Sequence, residues 1–258
     1  MSLPAILAAA RNTATGLVAS IPEDWMQGRT SYGGLSTALA LGAAQRAVED
    51  LPPLRSATVN FVGPLAGEVE VATSVLRRGR NATWIASEIT SEAGVGLTAT
   101  FVFMGPVESG LHLNDAPPPA GTIPPDEAKP IPAHLGPAFT RNFDRRFATA
   151  PTAGKQPHLD WWMRVRDAEG LDPTVALMLL ADGLPPGVMP LLERNTAVSS
   201  MTWIVNMLTP LPQTTDGWYQ LRAAGNYAEN GCSSQDMGIW NADGQAIAMG
   251  MQAIALFG

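Results

Sequence analysis

Alternation with period two dominates this chain. Val69, Val71 and Val75 mark one face of a strand near 67–77, and Leu97, Ala99, Phe101 and Phe103 mark one near 95–104. Segments near 56–62 and 82–90 read the same way. Gly33 to Val48 switches to helical spacing, with Leu35, Ala38, Leu39, Gly42 and Ala43 at i, i+3, i+4 intervals. That face is mostly small, so a neighbour packs very close to it. Further along, strands are expected near 139–148, 159–166, 197–208, 217–228, 233–241 and 245–257. A helix begins at Asp172-Pro173, an N-cap residue followed by proline at the first helical position. The stretch Met1 to Ala10 is mildly apolar, lacks a basic leader region, and reads as a short helix rather than a signal peptide.

The two halves of this pattern repeat each other. Val59-Asn60-Phe61-Val62-Gly63-Pro64-Leu65 returns as Val205-Asn206-Met207-Leu208-Thr209-Pro210-Leu211. Each copy is a strand ended by a Pro-Leu corner, preceded by a helix and followed by three more strands. A repeat at half the chain length means two copies of one fold, not a solenoid. Between them, Gly105 to Pro137 holds nine of the 22 prolines, a composition that allows neither helix nor interior strand and favours a stiff, extended crossing. The expected organisation is 1–104, a proline-rich linker over 105–137, and 138–258. One helix against a long antiparallel sheet, twice over, defines an α+β double hotdog: two tandem copies of a curled antiparallel sheet around a central helix.

Composition narrows the function. The chain has 258 residues, 46% of them hydrophobic and only 15% charged, against roughly 25% in an average domain. Such a chain fills a large core and is expected to bury more surface in a homo-oligomer, a dimer or higher. A net charge of −7 argues against nucleic acid as a partner. One cysteine, Cys232, excludes an intramolecular disulfide and fits a reducing, cytoplasmic compartment. His112, His134 and His158 with that cysteine cannot form a zinc site of ordinary spacing, so no metal is expected. No apolar run approaches the roughly 18 residues of a membrane span.

Several chemistries drop out by motif. The chain has no G-x-S-x-G elbow and no Walker loop, and Gly94-Val95-Gly96 reads as a hairpin turn. What remains is a carboxylate, hydroxyls and amides acting on water directly. Asp182 stands at the end of the second helix, before Gly183, Pro185 and Pro186 and among Leu179, Leu180 and Leu184. A carboxylate there faces the negative end of its own helix dipole, at a cost of about 0.3–1 kcal/mol. An acid placed against electrostatic preference in apolar surroundings is a candidate general base; position alone allows an inert, solvated Asp-Gly exit equally well.

The second half resembles the acyl-CoA thioesterase II family. The elements that match are a helix-end aspartate followed by proline in Leu180-Ala181-Asp182-Gly183-Leu184-Pro185, a hydroxyl ten residues before a strand-ending proline (Ser200 and Pro210), and a glutamine in the last strand (Gln252). The first half agrees through Tyr32-Gly33-Gly34 at its helix entry and Arg77-Arg78-Gly79-Arg80-Asn81 in a hairpin. Thr202-Trp203 stands where many members carry an acidic-histidine pair, and Ala253-Ile254 follows Gln252 where they have an acidic residue and glycine. The resemblance implies an acyl-CoA thioester hydrolase without cofactor, in which Asp182, Ser200 and Gln252 are catalytic and hold the attacking water. It also makes Gly33, Gly34, Arg77, Arg78 and Arg80 candidates for substrate contact, the arginines through the phosphates of CoA. Gln252 shares a strand face with Ala246, Ala248, Gly250 and Ile254, where a lone amide needs a buried partner. Two other classes stay open: a hotdog enoyl-CoA hydratase or dehydratase, and a non-catalytic acyl-CoA-binding protein.

Overall fold

A computed structural model describes residues 1–193 and 196–257. In chain order the elements are α1 (Leu3–Ala9), β1 (Arg11–Asn12), β2 (Gly16–Ile21), the short pair β3 (Met26–Gln27) and β4 (Thr30–Ser31), α2 (Gly33–Arg46), β5 (Leu54–Phe61), β6 (Gly67–Arg78), β7 (Ala82–Ser91) and β8 (Gly94–Met104). The second half adds β9 (Phe143–Phe147), β10 (His158–Val165), α3 (Pro173–Ala181), β11 (Ala197–Met207), β12 (Tyr219–Glu229), β13 (Cys232–Asn241) and β14 (Ala246–Phe257).

Twelve strands form one antiparallel sheet in the order β1-β2-β6-β7-β8-β5-β11-β14-β13-β12-β10-β9. Read inward from either edge, the two halves have the same topology. They join through β5 and β11, the strands that carry the repeated sequence. Ala57 pairs with Val205 and Val59 with Trp203, so the pseudo-two-fold relating the halves runs through the Thr58–Ile204 pair. Alternation sends Ala57, Val59, Trp203 and Val205 into the core while Thr58 and Ile204 stay exposed.

The helices fill the concave side and pack against each other in antiparallel fashion. At one end Tyr32 Oη, at the entry to α2, donates to Leu179 O near the end of α3 (2.8 Å). At the other end Gln45 Nε2 reaches Asp172 Oδ1 (3.1 Å). Asp172 also caps α3, its Oδ1 accepting from Thr174 N and Val175 N (2.9 and 3.0 Å), as the sequence predicts. The small-residue stripe of α2 proves to be only part of its buried surface: every residue from Gly34 to Ala44 is buried. Sheet, α3 and α1 leave it no solvent face, and a helix apolar all round belongs inside.

Three features were not legible in the pattern. Residues 11–31 contribute β1 and β2 to the sheet edge and a small hairpin, β3–β4. The stretch expected as one strand near 139–148 splits into a 3-10 turn, Ala138–Asn142, and β9. The proline-rich segment also does more than cross over, because from Ala116 onward it lies on the second half. Trp240 Nε1 donates to Ala116 O (2.9 Å) and Trp162 Nε1 to Ile123 O (2.7 Å). Ala128, Ala148, Trp162 and Trp218 form a separate apolar cluster there, with Ile123 against it. Proline removes donors from this segment, and the two indole N–H groups use its carbonyls instead.

Removing Trp162 deletes both the cluster's centre and a buried hydrogen bond. Trp162→Ala should lose about 3–5 kcal/mol in denaturant unfolding. Limited proteolysis should then cut first within 116–131 while the sheet signal in circular dichroism persists.

Candidate active site

Asp182 is the first residue beyond α3, where Gly183 N turns back to Leu180 O. The carboxylate meets an amide from the far strand of the core: Gln252 Nε2 donates to Asp182 Oδ1 and to Ser200 Oγ, each at 2.9 Å. Three residues 52 and 70 positions apart are thus joined by one NH₂ group. Because Ser200 Oγ accepts from Gln252, its own hydrogen is directed elsewhere. The buried partner that Gln252 requires is Gln235 on β13, whose Nε2 donates to Gln252 Oε1 (2.8 Å). Gln235 Oε1 in turn accepts from Gly187 N (2.7 Å), in the loop that follows Asp182.

Simple alternation would point Ser200 away from this site, since it is three residues from inward-facing Trp203. A β-bulge at Met201 corrects it: Ser200 pairs with Ile254, Thr202 with Ala253 and Trp203 with Gln252. The extra residue shifts the pleat by one, so Ser200 shares the inner face with Gln252. The first half has the same bulge at Arg55, between Leu54 and Ser56. By the register, Leu54 stands where Ser200 does, Phe101 where Gln252 does and Ile85 where Gln235 does. All three are buried and apolar. The fold offers two pseudo-equivalent positions, and polar chemistry occupies one.

Two glycines let the helix ends approach. A Cβ on Gly33 would fall 2.5 Å from Asp182 Oδ2 and 2.8 Å from the Phe61 ring; one on Gly34 would fall 2.4 Å from Leu179 O. Asp182 therefore faces the N-terminus of α2, whose Gly34 N–H favours its charged form. The positive end of that dipole offsets the negative end of its own helix, which sequence position alone could not reveal. Burial nevertheless dominates and pushes the Asp182 carboxyl up to about 7, with the Gln252 and Gly34 N–H groups holding it down. The Tyr32 phenol is raised well above its ordinary value, first by burial and then by the charge on Asp182, and remains a donor.

A cavity of about 240 Å³ opens on this cluster, lined by Gly33, Asp182, Ser200, Phe61, Leu65 and Val198 among others. Its rim includes Arg29, exposed in the β3–β4 turn and without an ion-pair partner among the described residues. The structure brings together Asp182, Ser200, Gln252, Gly33 and Gly34, but not Arg77, Arg78 and Arg80. Those lie at the β6–β7 hairpin beside Met104, whereas the cavity lies beside Gly96 at the other end of β8, roughly 25 Å along the strand. Arg77 instead stacks over Trp84, and Arg78 reaches Glu49 O. Arg29, Tyr32 as a neighbour of the acid, and Gln235 join the site without being among the residues expected from the sequence. Gln235 had a signal: a second glutamine on an alternating face that continues as Met237 and Ile239. Among the described residues no group of three His, Cys, Asp or Glu could hold a metal ion, and no helix is long and apolar enough to cross a membrane.

Fold and site together define a double-hotdog protein with one carboxylate–amide–hydroxyl centre between its halves. The chain belongs to the acyl-CoA thioesterase family: the family's C-terminal domain matches residues 115–256 and its N-terminal domain residues 21–104. The C-terminal domain thus takes in the packed part of the proline-rich segment. A conserved hot dog fold protein of unknown function from Alicyclobacillus acidocaldarius superposes with a TM-score of 0.87 at 20% identity, over 100% of this chain and 99% of that one. An acyl-CoA thioesterase II from Mycobacterium marinum gives 0.77 at 20% identity, over 99% and 98%. A more distant likeness, the dehydratase domain of RzxB from Pseudomonas fluorescens, gives 0.56 at 12% identity, over 95% and 96%. A search of curated proteins gives no match.

The buried acid carries a stability cost with a defined pH window. Its carboxyl titrates at about 7 when folded and near 4 when unfolded, so the folded state loses stability as pH rises through that interval. Asp182→Asn removes the charge, and its melting temperature should exceed that of the wild type most above pH 7. Below about pH 4 the difference should nearly vanish, as read by calorimetry across pH.

Proposed function

We propose that the protein hydrolyses acyl-CoA thioesters to free acid and CoA by direct attack of water activated by Asp182. The observation that carries this reading is the convergence of Asp182, Gln252 and Ser200 beside the N-terminus of α2, in a chain of the acyl-CoA thioesterase family. A carboxyl that titrates near neutrality suits a general base. Asp182 Oδ2 takes a proton from water as the water oxygen bonds to the thioester carbon and the carbonyl electron pair moves onto oxygen. The Ser200 hydroxyl hydrogen and the Gly33 N–H, which has no acceptor within its helix, stabilise that oxyanion. Collapse reforms the carbonyl and breaks the C–S bond, and the departing sulfur takes the proton from Asp182. No covalent intermediate on the protein and no cofactor is needed.

Arg29, rather than the hairpin arginines, is positioned to meet CoA phosphate at the cavity rim. Dehydration or hydration would call for an imidazole beside the acid. His112 and His134 are exposed in the proline-rich segment, and His158 sits on β10 with Asp160 at 3.8 Å, outside the cavity lining. We further propose a cytoplasmic homo-oligomer associating through the outer sheet face, where Ile204 and Met251 are exposed.

Thiol release across a series of acyl-CoA lengths tests the reaction. Asp182→Asn should slow it about 10²- to 10⁴-fold with little change in acyl-CoA affinity. Gln252→Ala and Ser200→Ala should each cost less, and their combination less than the product. The wild-type rate should fall below pH 7 as Asp182 protonates. A wild-type rate in Asp182→Asn, or loss of crotonyl-CoA absorbance without thiol release, would contradict the reading. Arg29→Ala should raise KM with kcat unchanged, whereas Arg77→Ala, Arg78→Ala and Arg80→Ala should leave both as they are.

A further inference from the structure

We propose that Gln235 is a positioning residue that fixes which end of the Gln252 amide faces Asp182 and Ser200; this rests on the catalytic reading of Asp182 above. A primary amide has two ends of nearly equal shape, and a half-turn about its last torsion exchanges an acceptor for two donors. Only one orientation serves the site. With Nε2 inward, Gln252 gives one N–H to Asp182 Oδ1 and one to Ser200 Oγ. Turned, it would set Oε1 against a carboxylate.

The orientation is decided two bonds away. Gln252 Oε1 accepts from Gln235 Nε2, and Gln235, which has the same ambiguity, is settled by Gly187 N. A backbone N–H can only donate. Gln235 Oε1 must therefore face Gly187, its Nε2 must face Gln252, and the Gln252 NH₂ must face the site. Gln235 and Gln252 are 1% and 5% exposed, so bulk water cannot stand in for a missing partner. Turning Gln252 alone would oppose donor to donor at Gln235 and acceptor to anion at Asp182, leaving buried groups unpaired. The relay starts and ends in one loop, five residues apart, so it also clamps that loop to β13 and β14. In the first half the corresponding cross-strand pair is Ile85–Phe101. Packing alone asks for nothing polar there.

The titratable groups facing Asp182 are few. Tyr32 approaches from the α2 entry and stays protonated, and among the described residues Arg29 is the only other charged side chain lining the cavity. A turned amide removes an N–H from the carboxylate and so raises the Asp182 pKa.

The test titrates Asp182 by ¹³C-carboxyl NMR in aspartate-labelled full-length protein, with the resonance assigned by its loss in Asp182→Asn. Gln235→Leu and Gln235→Met keep the side-chain volume. Each should move the Asp182 titration up by about one unit and carry the acid limb of kcat with it. In each, kcat should fall about 10- to 100-fold, short of the 10²- to 10⁴-fold for losing the base, with KM within about two-fold. Gln252→Leu should shift the titration at least as far, and Gln235→Leu/Gln252→Leu no further than Gln252→Leu alone. An unmoved titration in a folded Gln235 variant, or full additivity with Gln252→Leu, overturns the proposal. Should neither variant fold, the wild type decides: the side-chain NH₂ of Gln235 must be protected from hydrogen exchange, and free exchange overturns it. Because titration and exchange need no turnover, a wild type that releases no thiol would remove the hydrolase reading without deciding this one.

Discussion

The close approach of the α2 N-terminus to the end of α3 is the contact on which the site depends. Helix ends meet at this distance only because Gly33 and Gly34 present no Cβ to Asp182 and Leu179. The geometry has two opposed electrical effects on one carboxylate. Desolvation drives the Asp182 carboxyl upward, while donors from Gly34 and Gln252 restrain it, and the balance falls near neutrality. A fully solvated acid would be too weak a base, and a buried acid without donors would stay protonated. The antiparallel helix pair is thus both a core contact and the device that sets the acid's strength.

Duplication explains why the fold carries this strain so locally. Both halves share strand order, a joining strand and even the bulge near its start. The first half fills its equivalent positions with Leu54, Phe101 and Ile85, and its core is an ordinary apolar one. The second half replaces that packing with Ser200, Gln252 and Gln235, every amide end of which is hydrogen-bonded. A buried polar network is stable only when its members are satisfied together. The stability that such a network gives up relative to apolar packing is confined to one half, while the other half and the cluster under Trp162 hold the sheet.

What the sequence disclosed follows the range of the interactions involved. Alternation located β5 to β8 and β10 to β14, and Asp172-Pro173 located the start of α3, because strand pleat and helix capping are local. Val59 and Val205 announced the duplication because the same strand was needed twice. Asp182 and Gln252 stood out as groups whose surroundings opposed their chemistry. The remainder depends on contacts across more than a hundred residues or on one-residue shifts. The bulge at Met201, which turns Ser200 inward, leaves no compositional mark. The arginines at 77, 78 and 80 satisfied a motif and sit at the opposite end of β8 from the cavity, which no local pattern reveals, and Arg29 came to the cavity on a hairpin of two-residue strands too short for any periodicity. β2 escaped notice because Gly16–Ile21 mixes Gly, Ala and Ser into its alternation, although Leu17, Ala19 and Ile21 are buried.

The central claim is that Asp182 delivers water, not itself, to the thioester carbon. A single turnover in H₂¹⁸O, with protein in excess over acyl-CoA, tests it most directly by mass spectrometry of both the released acid and the peptide containing Asp182. Direct attack places one ¹⁸O in the acid from the first turnover and none in the peptide. Unlabelled acid together with ¹⁸O in the Asp182 carboxyl would mean that the aspartate had attacked the substrate, and would contradict the account.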